Sequence, residues 1–421
     1  MNLEVARRRY PLRGNTFGAR QARLLTMIRF LTAGESHGQG LVVVLEGVPA
    51  GLAISEAEIQ GELGRRRLGF GRGPRMRFEK DELTLLGGIR HGRTLGSPIA
   101  IEIHNSEWPK WQEEMSPSLG ATTKPLSTPR PGHADLTGML KYGFDDARDV
   151  LERASARETA ARVVAGAIAK KMLAEIGVSI LSHVISLGQV SLLVEELPQP
   201  KDLAEIDASE IRCFDRSKEE LMIAEIKAAA KVGDSLGGAA QVVAWGVPVG
   251  LGSHVHWDRR IDGLLAHALM SIQAIKAVEI GDGIEVSSKL GSQAHDAVFW
   301  DSQENSYYRT TDRAGGVEGG MTTGAPLIMT AYMKPLATLN RPVLETVDVA
   351  TKQATVSFKE RTDVTAVPAM GVVAETMVAL VLLDEAVRKF GGDSVSEFVR
   401  NYSSYVQALG NTDSKSQGTH L

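Results

Sequence analysis

Apolar positions near the start of the chain flank a glycine-rich loop and predict two short strands. Met27–Ala33 and Leu41–Leu45 are predominantly apolar, and the segment Gly34–Gly40 separates them. Short apolar runs bounded by glycine are typical of β-strands. We therefore expect a strand, a tight loop and a second strand at this point of the chain.

A helix is predicted soon after these strands. Ser55 followed by Glu58 has the spacing of a capping box, in which each side chain bonds the backbone N–H of the other residue. The helix is expected to end at about Leu63, because Gly64–Arg77 is dense in glycine and arginine and is predicted to be a loop.

The remaining pattern predicts strands and long helices that interleave. Strands are expected at Leu83–Leu86 and Ile99–Ile103, on either side of a turn at Gly92–Pro98, and at Val178–Ser186, Ala239–Val247 and Ala325–Met333. Helices are expected at Asp149–Ile176, Glu219–Lys231, Ile261–Ile275 and Val372–Phe390, the last after a turn at Val367–Gly371; residues 116–132 are expected to be loop. No strand–helix–strand unit of fixed length repeats, which favours one α+β domain.

Composition narrows the class of protein. Among 421 residues there is one cysteine, Cys213, which excludes an internal disulfide framework and a multi-cysteine metal site. The 47 basic and 51 acidic side chains give a net charge of −4, whereas a general nucleic-acid binder carries an excess of positive charge. No apolar run approaches the roughly 20 residues of a membrane span. We expect a cytoplasmic enzyme that binds neither nucleic acid nor a membrane.

The two ends of the chain differ from the part between them. Residues 1–26 carry six arginines against one glutamate and are predicted to be a disordered extension. Such acid-poor starts also occur in transit peptides, but those are rich in serine and this segment has none. The polar tail 411–421 is predicted to be flexible, which leaves residues 27–410 as the catalytic domain.

Six arginines lie within the glycine-rich segment Gly64–Arg77. Guanidinium groups bind phosphate through paired hydrogen bonds, and glycine lets the backbone approach a ligand closely. A solvated basic loop would show the same run of charge, as would a surface for an RNA backbone. The interleaved glycines and the net acidity of the chain favour a local site for a small phosphorylated molecule.

Two histidines lie beside glycine on predicted loops. His37 follows the first strand, and His133 lies in the segment Arg130–Asp135. Imidazole titrates near neutral pH, so both side chains suit proton delivery to a leaving phosphate or to a cofactor. A structural role is the alternative for each of them. His254 and His256 have no identifiable carboxylate partner, so no metal site is predicted.

Two further segments carry candidate binding groups. On the predicted helix, Arg153 and Arg157 are four residues apart and are expected to share one face. Anions are favoured near the first turn of a helix by its exposed N–H groups, although salt bridges to neighbouring glutamates are the alternative. Gly315–Gly320 and a following Lys-Pro loop offer donors to a second anionic ligand, such as a cofactor phosphate.

Arg361 and Asp363 alternate along a segment that is expected to be extended, so they share a face. An ion-paired turn is the alternative for this pair.

The spacing Gly-x-Ser-x-Gly, which marks the nucleophile of many serine hydrolases, occurs at Gly34–Gly38 and at Gly233–Gly237. That motif requires a strand before the serine and a helix after it. The first copy leads into a predicted strand, and the second follows a helix and precedes a strand. Neither copy has the required setting, so a serine hydrolase acting through Ser36 or Ser235 is kept only as the alternative function.

Taken in order, these motifs resemble the chorismate synthase family. The resemblance extends from about Met27 to Val406 and rests on six segments: Ala33-Gly34-Glu35-Ser36-His37-Gly38, the loop of Arg66 and Arg72, Arg130-Pro131-Gly132-His133-Ala134-Asp135, Glu152–Glu158, Gly315–Gly320 and Arg361-Thr362-Asp363-Val364.

The resemblance implies a lyase of the shikimate pathway. Such an enzyme converts 5-enolpyruvylshikimate 3-phosphate to chorismate and phosphate by a 1,4-anti elimination that needs reduced FMN without net redox change. The resemblance leaves open whether the chain reduces its own flavin with NADPH or takes reduced FMN from another source.

The resemblance also implies roles for individual residues. It assigns the substrate phosphate and carboxylates to Arg66, Arg72, Arg130, Arg157 and Arg361. It assigns catalysis to His37, which protonates the reduced flavin near N1, to His133, which keeps the departing phosphate or substrate protonated, and to Asp363, which relays a proton through flavin N5. It assigns flavin contacts to Arg153, Ala154, Ser155, Gln273, Ala274, Gly319, Lys334, Pro335, Leu336, Ala337, Thr338 and Arg361.

The architecture that the resemblance implies is a β-α-β sandwich, with helices between antiparallel sheets, assembled as a homotetramer. If these assignments are right, Arg66, Arg130, Arg157 and Arg361 converge on one dry cavity and do not lie on separate outer faces.

Overall fold

The computed structural model describes residues 27–73, 79–120, 125–194, 196–303, 306–358 and 362–409. Predictions for the extension 1–26, for residues 74–77 of the arginine segment, for Arg361 and for the tail 411–421 lie outside these ranges.

The strands of the described part, numbered along the chain, are β1 Arg29–Gly34, β2 Gly40–Glu46, β3 Leu83–Gly87, β4 Ile89–Arg90, β5 Arg93–Thr94, β6 Ile99–His104, β7 Ser179–Leu187, β8 Val190–Ser191, β9 Gly238–Trp245, β10 Ile275–Ile280, β11 Val298–Asp301, β12 Ser306–Arg309, β13 Val317–Glu318, β14 Met321–Thr322, β15 Leu327–Met333, β16 Glu345–Val347 and β17 Ala354–Val356.

Two of the sheets are large, and both are antiparallel throughout. The first has the strand order β1-β2-β6-β3, and the second has the order β10-β15-β9-β7-β8. The shorter strands pair as four separate hairpins.

The helices of the described part are α1 Glu56–Arg67, α2 Trp108–Trp111, α3 Asp135–Tyr142, α4 Arg148–Ala154, α5 Thr159–Ala174, α6 Leu203–Ala208, α7 Glu219–Val232, α8 Ile261–Met270, α9 Gly283–Val286, α10 Gly291–Ala294, α11 Val367–Phe390 and α12 Val395–Ala408.

A layer of helices separates the two large sheets. Helix α5 contacts β2 of the first sheet, α11 contacts β7 and β9 of the second, and α1, α5 and α11 contact one another. At the crossing of α5 and α11, a Cβ on Gly166 would come within 2.1 Å of the Cβ of Thr376, so glycine allows this close approach. The expected α+β fold, a β-α-β sandwich with helices between antiparallel sheets, is confirmed.

Helix α11 forms the centre of the core. Its most apolar window has a mean hydropathy of 1.8, so the helix is long and apolar enough to cross a bilayer, contrary to the prediction from the sequence. However, 89% of that window is buried inside the protein. The helix therefore packs as a core element between the sheets.

Most predicted elements are present, and several have different ends. Helix α1 carries the predicted capping box at Ser55 and Glu58 but continues to Arg67, so the segment that was predicted as a loop from Gly64 begins as helix. The predicted turn Val367–Gly371 is the first part of α11, because Pro368 occupies a position in the first turn where its missing N–H costs nothing.

Two elements were missed near the ends of predicted helices. The helix predicted at Ile261–Ile275 stops at Met270, and Ile275 instead begins the strand β10. The amphipathic helix α12 was not predicted either, although the Ser394 side chain accepts a hydrogen bond from the N–H of Glu397 at its start.

The long helix predicted at Asp149–Ile176 is broken. Helix α4 ends at Ala154, Ser155 is extended with φ −60° and ψ 142°, and a short turn at Ala156–Glu158 leads into α5. The prediction that Arg153 and Arg157 share one helical face is therefore wrong.

Candidate active site

Three buried or nearly buried arginines form a group that we call the arginine cluster: Arg66, Arg72 and Arg157. Arg66 lies in the last turn of α1, where only 4% of its surface is exposed. Its Nε donates to Thr159 Oγ1 at 3.0 Å, and its Nη2 donates to the carbonyl oxygen of Ala156 at 2.9 Å. Its Nη1 is buried without a hydrogen-bond partner among the described residues.

Arg157 reaches the cluster from the turn after the helix break. Its Nη1 donates to Asp81, its Nε donates to Asn105 Oδ1 at 2.9 Å, and its Nη2 donates to the carbonyl oxygen of His104 at 3.3 Å. The carboxyl group of Asp81 is fully buried. Burial raises its pKa, but the charges of Arg157 and Arg66 outweigh burial and lower the pKa overall.

Arg72 completes the cluster and connects it to Asp363. The Nε of Arg72 lies 3.0 Å from Asp363 Oδ2, and Asp363 Oδ1 accepts a hydrogen bond from the N–H of Gly73 at 2.5 Å. Arg72 Nη1 is buried and has no hydrogen-bond partner in the described part of the chain. Two guanidinium groups of the cluster therefore retain a donor for a ligand.

The electrostatics of the cluster favour an anion. Burial, together with the positive charges of Arg157 and Arg72, lowers the pKa of Arg66 to about 10, against the opposing effect of Asp81. The same three charges would be stabilised by a bound phosphate or carboxylate, which replaces the lost water and offsets their repulsion.

His37 is held by the carboxylate of Glu152. The backbone N–H of His37 donates to Glu152 Oε2 at 2.8 Å, and its Nδ1 lies 2.9 Å from Oε1. The imidazole also stacks on the ring of Trp111 with the centroids 4.1 Å apart. Arg148 contacts both partners, because it donates to Glu152 at 2.9 Å and lies over the Trp111 ring.

The neighbours of Glu152 stabilise its negative charge. Burial raises its pKa, but the hydrogen bond and charge of His37, together with the charge of Arg148, lower it overall. Glu152 therefore stays ionised at neutral pH, and its carboxylate is the hydrogen-bond partner of the imidazole Nδ1.

Asn105 connects the His37 loop, Gly34–Gly40, to the arginine cluster. Its Nδ2 donates to the carbonyl oxygens of Glu35 at 3.1 Å and Gly38 at 2.8 Å, while its Oδ1 accepts from Arg157. His37 and the arginine cluster therefore belong to one site.

His133 lies in a separate group of contacts with Arg130 and Asp135. His133 Nδ1 is 2.5 Å from Asp135 Oδ1, and Arg130 donates through Nε to Asp135 Oδ2 at 2.8 Å. The pKa of Asp135 is lowered despite burial, because His133 and Arg130 both donate hydrogen bonds to it. Arg130 is 6% exposed, so this predicted substrate arginine is also inside the protein.

The Lys-Pro loop, Lys334–Thr338, meets the His133 group. Arg130 Nη1 donates to Thr338 Oγ1 at 2.9 Å, and Lys334 Nζ donates to the carbonyl oxygen of Gly132. The N–H of Lys334 also donates to the carbonyl oxygen of Ala274, which has a left-handed φ of 67°. Three segments that are distant in sequence, around His133, Ala274 and Lys334, are thus connected by hydrogen bonds.

Arg153, which contacts β1, is connected to Gln273 through Glu158. Arg153 donates to the carbonyl oxygen of Thr32 at 2.8 Å and lies 3.8 Å from Glu158, whose Oε2 accepts from Gln273 Nε2 at 3.1 Å. Both residues border a cavity of about 610 Å³. Gln273 Oε1 is buried and has no hydrogen-bond partner among the described residues.

Ser155 and Gly319, two of the other predicted flavin contacts, lie in different surroundings. Ser155 Oγ is 3.2 Å from Ser36 Oγ, next to the His37 loop. Gly319 lies in the turn between β13 and β14, and its neighbour Gly320 contacts Arg260 and Ile261. In the described part of the chain, no hydrogen bond joins Gly319 to the other predicted flavin residues.

The two Gly-x-Ser-x-Gly serines lack the surroundings of a hydrolase nucleophile. The loop of Ser36 connects the strands β1 and β2, and Ser235 lies between helix α7 and strand β9. The Oγ of Ser235 donates to the carbonyl oxygen of Leu336 at 2.7 Å. Neither serine has a strand before it and a helix after it, so the structure does not support the hydrolase alternative.

The site contains residues that the sequence did not single out. The sequence pattern indicates Glu152 only as a salt-bridge partner of an arginine, and it does not indicate Asp81 or Asn105. Asp81 has a left-handed φ of 53°, which is unusual outside glycine, but no local pattern announces it. Each of the three is identified only by partners that are distant in sequence.

Comparison with known proteins identifies the family of the chain. The model of the chorismate synthase family matches residues 28–387. The chorismate synthase of Thermobifida fusca (strain YX) is 56% identical over 393 residues, covering 91% of this chain and 99% of the relative. That of Mycolicibacterium smegmatis is 55% identical over 401 residues, covering 93% and 100%.

A solved structure gives the same result. A crystal structure of chorismate synthase superposes with a TM-score of 0.73 at 40% sequence identity, covering 91% of this chain and 98% of that chain. The match includes the sequence, the sandwich architecture and nearly the full length of the relatives. The chain belongs to the chorismate synthase family.

Proposed function

We propose that the arginine cluster, the His37 loop and the His133 group bind 5-enolpyruvylshikimate 3-phosphate beside reduced FMN and eliminate its phosphate. Family membership makes the chain a lyase of the shikimate pathway whose product is chorismate. The proposed reaction is a 1,4-anti elimination in which a C–H and a C–O bond of the substrate break, with no net redox change.

The observation that carries this proposal is the arginine cluster. Three guanidinium groups from different parts of the chain are buried together, and Arg66 and Arg72 each keep one Nη without a partner among the described residues. Charge-assisted hydrogen bonds to phosphate contribute about 1.5–3 kcal/mol each when water is excluded. The cluster therefore suits an anionic substrate whose phosphate gains charge as it leaves.

His133 and Arg130 are proposed to act on the departing phosphate. Asp135 accepts a hydrogen bond from Nδ1 of His133 and thereby orients the ring, so that Nε2 is the nitrogen proposed to exchange a proton with the ligand. Arg130 lies against the same carboxylate and supplies positive charge. The other proposed proton donor is His37, whose Nδ1 is held by Glu152 in the same way.

Asp363 is proposed as the carboxylate that accepts and passes on a proton. Its ion pair with Arg72 fixes it at the edge of the arginine cluster, and the bond from the Gly73 N–H fixes its other oxygen. The carboxylate is thus held by two neighbours within reach of the proposed substrate site.

Several of the residues assigned to FMN by the family resemblance suit such a group. The unpartnered, buried Gln273 Oε1 is an acceptor for a ring N–H, and the adjoining cavity of about 610 Å³ has the size of a small-molecule site. Lys334 and Thr338 offer a cation and a hydroxyl for a ligand phosphate. When bound, reduced FMN would lend electron density to the substrate ring as phosphate leaves.

An anaerobic assay of chorismate formation tests this function. The full-length chain is mixed with 5-enolpyruvylshikimate 3-phosphate and photoreduced FMN, and chorismate and phosphate are measured together. We expect equimolar products with reduced FMN and none with oxidised FMN. Product formation without any reduced flavin, or no product with it, contradicts the proposal.

A parallel assay with oxidised FMN and NADPH decides whether the chain reduces its own flavin. Chorismate formed under these conditions assigns a flavin reductase activity to the chain. Chorismate formed only from photoreduced FMN assigns flavin reduction to a separate source.

The enzyme is further proposed to work as a homotetramer in the cytoplasm, without nucleic acid or membrane partners. The hairpin of β11 and β12 leaves Phe299, Trp300, Tyr307 and Tyr308 between 40% and 64% exposed. Exposed aromatic groups of this size are typical of surfaces that oligomers bury. Light scattering on the purified chain is expected to give four times the mass of 45.3 kDa.

A further inference from the structure

We propose that Asn105 is a positioning residue that sets the His37 loop and Arg157 relative to each other. This inference rests on the proposed roles of His37 in proton transfer and of Arg157 in substrate binding. Asn105 contacts neither the substrate nor the flavin in this proposal, and it acts only through those two residues.

The three hydrogen bonds of the Asn105 amide use both of its ends. Nδ2 donates to two carbonyl oxygens of the His37 loop, those of Glu35 and Gly38, and Oδ1 accepts from Arg157 Nε. A carbonyl oxygen only accepts and a guanidinium N–H only donates, so the partners fix the orientation of the amide. The Nδ2 end of the amide therefore faces the His37 loop, and the Oδ1 end faces Arg157.

The backbone of Asn105 fixes the side chain in place. The residue directly follows β6, and its N–H donates to the carbonyl oxygen of Gln39 at 3.2 Å. Its own carbonyl oxygen accepts from the N–H of Trp108 at 3.1 Å, at the start of the helix whose Trp111 stacks on His37. Asn105 is 4% exposed, so water does not compete for these bonds.

Two residues that are distant in sequence, Glu152 and Asn105, hold the His37 loop. Glu152 binds Ser36 through its carbonyl oxygen and His37 through its carboxylate, whereas Asn105 binds the residues on either side of this pair, Glu35 and Gly38. Without the Asn105 side chain, the loop keeps its hydrogen bonds to Glu152 but loses those at Glu35 and Gly38.

The substitution Asn105→Asp separates the two parts of the proposed role, because it removes the hydrogen bonds to the His37 loop and keeps the one from Arg157. An introduced carboxylate still accepts from Arg157, with added charge attraction, but it donates nothing to the two carbonyl oxygens and repels them. We expect kcat to fall by about 10- to 100-fold, because small misplacements of a catalytic group cost rates of this order. KM for 5-enolpyruvylshikimate 3-phosphate is expected to stay within about 3-fold, because Arg157 keeps its anchor.

The substitution Asn105→Leu removes both halves. Arg157 then loses the acceptor of its Nε, so KM is expected to rise by about 10-fold in addition to the fall in kcat. The matched control is Asn401→Asp, which changes another amide whose Nδ2 donates to a backbone carbonyl, that of Phe390, outside the proposed site. This control is expected to leave kcat and KM unchanged.

The experiment measures kcat and KM of wild type, Asn105→Asp, Asn105→Leu and Asn401→Asp, with circular dichroism to compare folding. In chains labelled with ¹⁵N-histidine, the imidazole signals of His37, assigned with His37→Ala, are expected to move in Asn105→Asp and not in Asn401→Asp. If Asn105→Asp does not fold, Asn105→Ser takes its place, and its shorter side chain is expected to give the same loss of kcat and shift of the His37 signals.

Unchanged kcat and unmoved His37 signals in a folded Asn105 variant overturn the inference. So does a rise in KM of Asn105→Asp without a loss of kcat, because that would assign Asn105 to substrate binding alone. If wild type makes no chorismate, or if His37→Ala keeps full turnover, the proposed function itself fails. The two failures are therefore distinguishable.

Discussion

Glu152 accepts hydrogen bonds from both the backbone N–H and the imidazole Nδ1 of His37, so one carboxylate fixes the loop and the orientation of the ring. An imidazole that is held in this way presents Nε2 in a defined direction and in one tautomer when neutral.

Replacing this carboxylate by an amide, Glu152→Gln, is expected to lower kcat by about 10²–10⁴-fold, because a histidine in the wrong tautomer loses its acid–base function. The amide keeps the size of the side chain but can donate to Nδ1, which favours the wrong tautomer. Steady-state kinetics under anaerobic conditions measure the effect. The control Glu46→Gln, at an exposed end of β2, should match wild type.

Loss of either histidine is expected to remove acid–base catalysis and to leave the fold intact. His37→Ala and His133→Ala should each reduce turnover by about 10²–10⁴-fold, the usual contribution of such groups. Circular dichroism and thermal unfolding should match wild type within the error of both methods. Wild-type turnover in either variant would remove that histidine from the mechanism.

The arginine cluster should bind anions in the absence of turnover. Inorganic phosphate at about 100 times its Kd is expected to stabilise the wild-type chain by about 2.7 kcal/mol, which raises the unfolding midpoint by about 3 °C for a chain of this length. Arg66→Met keeps the volume of the side chain but removes its charge, and phosphate should then have little effect.

Arg400→Met is the matched control, because Arg400 is 68% exposed in its ion pair on α12. Phosphate should stabilise this variant as it does wild type. Equal stabilisation of Arg66→Met would show that phosphate binds elsewhere on the chain.

The buried carboxylate of Glu375, on α11, should be a strong determinant of stability. It accepts from Arg65 at 2.6 Å, from Lys170 at 2.8 Å and from Arg212 at 3.1 Å. Breaking a buried ion pair from one side costs about 3–5 kcal/mol, because the remaining charges stay buried without their partner. Urea unfolding of Glu375→Gln is expected to show a loss of this size at pH 7.

This contribution has a defined pH dependence. Burial raises the pKa of Glu375, but Arg65, Lys170 and Arg212 outweigh burial and lower it well below 4.5. A lowered pKa in the folded state means that the stabilisation is complete above the ordinary pKa and is lost as pH falls through the folded value. The difference between wild type and Glu375→Gln should therefore be constant from pH 6 to 8 and shrink only in acid. A difference that grows in acid would contradict this assignment.

Signals from neighbouring residues predicted the elements whose ends depend on short-range contacts. The capping box of Ser55 and Glu58 marked the start of α1, and the apolar runs beside the His37 loop marked β1 and β2. Helix α5 also ends close to the predicted residue, before Gly177 with its φ of 80°. In each case the signal lies within a few residues of its effect.

The break at Ser155 could not be predicted in this way. The surrounding residues favour helix, and the alanines on either side have high helix propensity. The break is accompanied by tertiary contacts, because Ser155 meets Ser36 and Arg157 reaches Asn105 and Asp81. Distant partners override local propensity at this point.

The candidate site shows the same division. Histidines and arginines among glycines have recognisable chemistry, so His37, His133 and the arginine segment stood out in the sequence. Glu152 lies 115 positions from His37, and Asn105 lies 52 positions from Arg157. Their side chains are common types in ordinary surroundings, and only folding brings them to their partners.

The interruption at Ser155 also separates two tasks along one stretch of chain. Arg153, before the interruption, faces β1 and the cavity beside Gln273, whereas Arg157, after it, turns inward to the arginine cluster. In a continuous helix, Arg153 and Arg157 would lie on the same face and point in similar directions. Because of the interruption, a substitution that reorients Arg153 need not reorient Arg157.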